Sequence, residues 1–319
     1  MNLSKKIKKI ALESGLDLVG IAPAAPFESY RWKDSIMRNP KLTLPDVRSL
    51  VIVGYYDLRT LKESAEIGLK GKVARSYAVG HEFSLVDELQ PIKKLLKKHG
   101  YKVLISAGNL AQAALPLKLA AVRAGLGLQG KHSVVITPEY GSWVTFGALM
   151  TNASLEYDEP LTDDICGKCT ACMDACPTAA IKEAYIVDMS LCLDEILNSP
   201  ADIPDYIKDK IGNRILSCDT CLEACPHSRK ALRKAQLKGS HPYEHDLLEL
   251  LHLEPREFEQ MVSTLNWSLN FAFFKRNIII ALGNSGDRSV AQEIEKYSAH
   301  NSEVLRKTSQ WALKKLNSS

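Results

Sequence analysis

Apolar and polar positions fall in alternating blocks along the first half of the chain. Ile7, Ile10, Leu12 and Leu16 recur at helical spacing among lysines and glutamate, which predicts an amphipathic opening helix. LDLVGIAPA, stopped by prolines, and the β-branched SLVIVGYY after Pro45 read as strands, the second of them buried on both faces. Leu85 to His99 has helical periodicity with lysines outward, and YKVLIS is a further strand, an order that predicts an α/β domain. Leu117 to Ala124 reads as a helix ended by Gly125, Gly127 and Gly130, and SVVI and SWVTFGALMT read as strands around the turn PEYG. Beyond about Ser240 the pattern is helical and leucine-rich. Its FAFFKRNIIIALGNSGD stretch and the helices after it look like one HEAT-type unit, which cannot bury its own face and is expected to pack as a cap or arm.

Composition narrows the class. The 319 residues are 45% hydrophobic and 24% charged, a globular chain of about two domains, and 41 basic against 37 acidic residues leave a net charge of only +4. That balance neither demands nor excludes a polyanionic partner. The opening helix has no continuous apolar core of a signal peptide, and no run approaches the roughly 18 apolar residues of a membrane span, so a cytoplasmic location is expected. The overall charge hides one asymmetry. From Leu89 through Pro138 there is no Asp or Glu, while ten residues are Lys, Arg or His, either a solvated basic face or an anion or nucleotide site. No P-loop and no strand-GxGxxG-helix unit occurs.

All eight cysteines lie between Cys166 and Cys225. In a reducing compartment such clustering reads as metal ligation rather than disulfides. The first run, Cys166-x2-Cys169-x2-Cys172-x3-Cys176-Pro177, has the spacing of two-cluster ferredoxins, in which three close thiolates hold one cubane and the fourth reaches the other. The second run, Cys218-x2-Cys221-x3-Cys225-Pro226, lacks its first cysteine, and the upstream Cys192 completes the count. The expected assignment is crossed: Cys166, Cys169, Cys172 and Cys225 on one 4Fe-4S cluster, and Cys192, Cys218, Cys221 and Cys176 on the other. Zinc, the competing ligand-spacing explanation, rarely uses CxxCxxC followed by CP.

Joint spacing of AGLGLQGKHSVVITPEYGSW (Ala124–Trp143), CGKCTACMDACPTAAI, Asp188 to Cys192, IGNRILSCDTCLEACPHS (from Ile211) and RNIIIALGNSGD resembles the epoxyqueuosine reductases, cobalamin-dependent enzymes of tRNA queuosine biosynthesis. The resemblance implies an α+β and α/β multidomain chain. It would comprise an α/β corrinoid-binding domain at 1–160, a ferredoxin-like domain with two 4Fe-4S clusters at 161–240 and a helical HEAT-like tail at 241–319. It also implies a base-off cobalamin held between the first two, touching Gly130, Lys131, the Ile136 to Pro138 backbone, Gly141 to Gly147 and the Ser217-Cys218 edge. Electrons would come from a flavodoxin- or ferredoxin-type reductant, and the acceptor would be a flipped-out modified base in tRNA. The chain is expected to be a monomer. Lysines 93, 94, 97, 98, 314 and 315 are candidate phosphate contacts or simple solubility features.

One departure stands out. The family carries an Asp as proton donor about a dozen residues ahead of AGLG, and here that place falls near Ala111 and Gln112, while a second family acid falls at Leu117. The segment Tyr77 to Ser84 is altered as well. No catalytic residue is therefore assigned, with His81, Lys118, Glu139 and Tyr140 as possible substitutes. The alternative to a reductase of this type is an iron–sulfur electron-transfer protein serving a partner or a different electrophilic acceptor.

Overall fold

The computed structural model describes residues 2–30, 36–62, 68–78, 85–106, 114–237, 241–265 and 270–318. Two compact units form, each from discontinuous segments. The first comprises 1–57, 82–169 and 226–234, and the second comprises 58–81, 170–225 and 235–319.

The first unit is built on a four-stranded sheet in the order Leu18–Pro23, Ser49–Tyr56, Val144–Thr151, Val103–Ser106. The strands fall where the apolar runs predict them. Their directions do not follow the α/β expectation, because every neighbouring pair is antiparallel. Parallel neighbours need a crossover between strands adjacent in the sheet. Here Val144–Thr151, last in sequence, instead inserts between the second strand and the third. Leu50, Ile52, Ala148 and Met150 on one face meet Ala120 and Ala121 of the helix Leu117–Arg123 and its C-cap Ala124. Small residues on that helix permit close approach: a Cβ on Gly20 would lie 2.3 Å from the Ala124 carbonyl oxygen. The opening helix spans Leu3–Glu13 and buries Ser4, Ile7 and Ala11. Leu12, read as part of the apolar stripe, is instead 53% exposed, because 4, 7 and 11 keep the helical period and 12 falls off it.

The second unit carries a sheet of Arg214–Leu216, Lys70–Val73 and Glu244–Asp246, with the central strand parallel to the first and antiparallel to the last. Its long helix, Phe271–Ser285, is buried at every position from Phe274 to Gly283. A helix buried all round is a core element. The expected cap or arm is therefore the centre of this unit, packed against Glu303–Ser318 on one side and against the Leu193–Asn198 and Asp205–Ile211 helices on another. Gly286 ends it in the left-handed region at φ 72°, and Asp287 caps the next turn through Ser289 N–H. No helix among the described residues is long and apolar enough to cross a membrane.

Candidate iron–sulfur and cofactor site

The two cysteine runs fold as copies of one motif. Cys169-Thr-Ala-Cys172-Met-Asp-Ala-Cys176-Pro and Cys218-Asp-Thr-Cys221-Leu-Glu-Ala-Cys225-Pro each form a one-turn helix, Ala171–Ala175 and Thr220–Ala224. Each helix ends on a cysteine of nearly equal backbone conformation, φ −66° and ψ 114° at Cys176, φ −66° and ψ 124° at Cys225. The following proline has no N–H to continue the helix, which turns the chain away at the same point in both copies. These two helices pack against each other.

All eight cysteines are free thiols, Cys172 and Cys225 buried and Cys169 exposed. Burial pushes the Cys221 thiol strongly upward, and Cys218, Asp219, Cys192 and Cys172 add to it, so four sulfurs and a carboxylate share one locality. Such a donor set calls for a cation to hold its charge. Cys192 precedes the helix Leu193–Asn198; burial raises it, against the N–H groups of Asp194 and Glu195. Burial also opposes ionisation of Cys176, but N–H groups of Ala180, Thr178 and Ile181 outweigh it and lower the thiol. Ala180 N–H lies 3.3 Å from the Cys176 sulfur, the kind of contact that tunes a cluster. Among the described residues no three His, Cys, Asp or Glu side chains converge as a single metal ion requires. A tetrahedral zinc would hold its thiolates within about 3.8 Å of one another, whereas a cubane keeps them farther apart.

Beside the second run lies a feature with no sequence signal. Arg75 donates its backbone N–H to Asp219 Oδ2 at 2.6 Å and Nη1 to Glu223 Oε1 at 2.6 Å, and its guanidinium lies 4.5 Å from the Tyr243 ring centre. Burial raises the Asp219 carboxyl to about 6, against the Arg75 N–H and charge that lower it. Lys72, Arg75, Ser217, Cys218, Glu223 and Tyr243 line a shallow cleft here. Ser217 is a non-glycine residue at φ 59°, and its hydroxyl donates to Asp194.

In the first unit, the Leu128–Gln129 and Val135–Ile136 strands pair across the Gly130-Lys131 turn. Gly130, Ile136, Gly141 and Gly147 are buried, Lys131 is half-buried and Pro138 exposed. Gly141 is not part of a strand: it bridges back to Thr137, and the strand itself begins at Val144. A Cβ at Gly141 would lie 2.6 Å from Ser228 Cα, at φ 57°. Ser228 also accepts from Trp143 Nε1 at 2.9 Å, and Trp143 is a buried core residue. Lys131 Nζ donates to the carbonyls of Gly167 (2.7 Å) and Cys169 (3.0 Å), tying this turn to the start of the first cysteine run. His132, unremarked in the sequence, is 4% exposed; its Nδ1 accepts from Val134 N–H at 3.1 Å and its Nε2 has no hydrogen-bond partner among the described residues. Burial, with the charge of Lys118, lowers its pKa to about 4, so the ring is neutral and Nε2 carries the proton.

Of the candidate donors, Lys118 and Glu139 are exposed, and Tyr140 stacks at 4.7 Å on Tyr56. Leu117 packs against the apolar core. His81, Ala111 and Gln112, with the altered segment beyond Ala78, lie outside the described residues. Lys94, Lys97, Lys98 and Lys314 are exposed and Lys93 half-buried, whereas Lys315 pairs with Asp209.

Comparison with known proteins matches this arrangement. The 4Fe-4S double cluster binding domain family model matches residues 165–228, which contain all eight cysteines. Epoxyqueuosine reductase of Bacillus cereus is 30% identical over 337 residues, covering 95% of this chain and 86% of the relative, and that of Bacillus subtilis is 29% identical over 349 residues, covering 98% and 88%. A crystal structure of selenomethionine-labelled epoxyqueuosine reductase superposes with a TM-score of 0.87 at 26% identity, over 98% of this chain and 90% of that one. A second, of epoxyqueuosine reductase with an epoxyqueuosine-modified tRNA-Tyr stem loop, gives 0.83 at 26% identity over the same shares. With its iron–sulfur double-cluster domain inside a similarity that runs nearly end to end, the chain belongs to the epoxyqueuosine reductase family of oxidoreductases.

Proposed function

We propose that this protein reduces epoxyqueuosine in tRNA to queuosine, carrying electrons through two 4Fe-4S clusters to a base-off cobalamin. The observation that carries the reading is the eight-cysteine domain set within family similarity over 95% of the chain. Opening the epoxide to the alkene breaks two C–O bonds, consumes two electrons and two protons and releases water. Cubanes pass one electron at a time, so a flavodoxin- or ferredoxin-type reductant must deliver twice. The crossed ligand sets, Cys166, Cys169, Cys172 with Cys225 and Cys192, Cys218, Cys221 with Cys176, belong to this proposal, as does the division at 1–160, 161–240 and 241–319.

A bound corrinoid supplies low-potential cobalt as the final electron donor. Its proposed contacts are Gly130, Lys131, Ile136, Pro138, Gly141, Gly147 and Ser217. The fit is supported by His132: a buried N–H donor with no acceptor among the described residues, beside the Gly130-Lys131 turn, suits a cofactor rimmed with amide carbonyls. The proton donor is the open part. Leu117 cannot protonate an oxygen, and no acid occurs from Leu89 to Pro138, which favours a second reading in which the acceptor is another electrophile.

Two measurements test this. Anaerobic reconstitution should yield about eight irons per chain and saturable cobalamin binding. Expression in cells lacking their own epoxyqueuosine reductase should restore queuosine in tRNA by mass spectrometry. Cobalamin binding without restoration would move the assignment to another electrophile, and failure to bind any corrinoid while holding eight irons would remove it.

A further inference from the structure

The core position of the Phe271–Ser285 helix puts two adjacent polar residues where apolar ones are expected. Arg276 and Asn277 are both 0% exposed. Burying a guanidinium without a carboxylate partner is costly unless every donor is satisfied. Here Arg276 Nη1 donates to the carbonyls of Ser199 (3.0 Å) and Ala201 (2.7 Å) and Nη2 to that of Ile196 (3.3 Å). Nε and Nη2 also reach Asn277 Oδ1 at 3.1 and 3.0 Å. That fixes the Asn277 amide with its nitrogen pointing away. Asn277 Nδ2 then donates to two carbonyls at once, Leu197 O at 2.9 Å and Ile215 O at 2.9 Å.

The identity of those carbonyls gives the pair its meaning. Ile196 and Leu197 lie in the last turn of the Leu193–Asn198 helix, where the Ser199 N–H caps the Ile196 carbonyl and the helix end favours a positive charge. Cys192 is the residue at the other end of that one short helix. Ile215 lies in the strand Arg214–Leu216, three residues before Cys218. One amide group therefore ties the segment that carries Cys192 to the segment that carries Cys218, two cysteines separated by 26 positions in sequence. Seven residues further along the same helix, Asn284 makes a similar double contact to Lys208 O (2.9 Å) and Gly212 O (3.1 Å), at the end of a helix that carries no cysteine.

We propose that Asn277, oriented by Arg276, is a positioning residue for the cluster of Cys192, Cys218 and Cys221, so that the C-terminal helical segment is part of that cluster's cradle. The proposal rests on these cysteines sharing one cluster. Cys192 lacks the short CxxC spacing that holds the other ligands near each other, and the Asn277 amide supplies over a long range what spacing supplies elsewhere.

The test uses the full chain, reconstituted anaerobically, with iron and sulfide counted and the reduced protein examined by electron paramagnetic resonance and redox titration. Asn277→Asp replaces the double donor with an acceptor, and Asn277→Ser shortens it without adding charge. Both should fall from about eight to about four irons per chain and show one cluster's signal and one midpoint potential. Asn284→Asp should keep about eight irons and both potentials despite its own loss of thermal stability. The proposal is overturned if the Asn277 variants keep eight irons with both potentials unchanged, if they lose both clusters, if Asn284→Asp loses iron equally, or if Asn277→Ser does not fold. Cys192→Ala separates the underlying reading: eight irons in that variant would sink the shared-cluster assignment whatever the Asn277 variants do.

Discussion

Arg75 and Glu223, 148 residues apart in sequence, meet at 2.6 Å beside the second cysteine run. Only 8% of the Arg75 side chain is exposed, against 36% for Glu223. The same arginine's backbone N–H holds Asp219, so one residue spans the helix between Cys218 and Cys225. Arg75→Gln keeps a polar side chain but leaves two carboxylates without their cation. Breaking a fully buried pair costs roughly 3–5 kcal/mol; with Glu223 partly solvated, a loss of about 2 kcal/mol is expected. A thermal midpoint unchanged from wild type would show that the contact is idle.

The crossed ligand assignment makes an unusual prediction for a double variant. If Cys176 and Cys192 serve the same cluster, Cys176→Ala with Cys192→Ala should retain about four irons, no fewer than either single variant. If Cys176 instead serves the cluster of its own run, the double variant damages both and iron falls well below four.

Gly141 combines a left-handed backbone with the close approach of Ser228. Gly141→Ala therefore meets a conformational penalty of about 1–2 kcal/mol and an overpacking penalty of about 1–3 kcal/mol. A loss of about 3 kcal/mol in denaturant unfolding is expected, with Gly100→Ala as a comparison that has the same sign of φ and nothing within 4 Å of the added carbon.

His132 links stability to pH. Its folded pKa of about 4 lies below the 6.5 of a free imidazole, so between these values the unfolded chain binds the extra proton. Its contribution is complete above about pH 6.5 and is lost as pH falls toward 4, up to about 3 kcal/mol. Stability measured across pH 4 to 7 should rise with pH, and His132→Gln should flatten that part of the slope. An identical slope in the variant would place its origin elsewhere.

The missing acid is open to direct rescue. If the acceptor is epoxyqueuosine and protonation limits turnover, Ala111→Asp or Gln112→Asp should raise the single-turnover rate on epoxyqueuosine-containing tRNA, with a ceiling of about 10²- to 10⁴-fold. No gain from either variant, with cobalamin still bound, would favour a relocated donor or a different electrophile.

The double-cluster domain and the strand placement were legible in the chain because both are local codes. A CxxC spacing suits consecutive thiolates meeting at one cube, and a β-branched run such as Ser49–Tyr56 declares a buried strand whatever surrounds it. Strand direction, the central place of Phe271–Ser285, the Arg75 contacts and the burial of His132 were settled by tertiary structure alone. The reason is chemical as well as geometric. Arg276 and Asn277 bind backbone carbonyls, which every residue carries, so no residue type at Leu197 or Ile215 marks the partner, and only the folded chain identifies which carbonyls they meet.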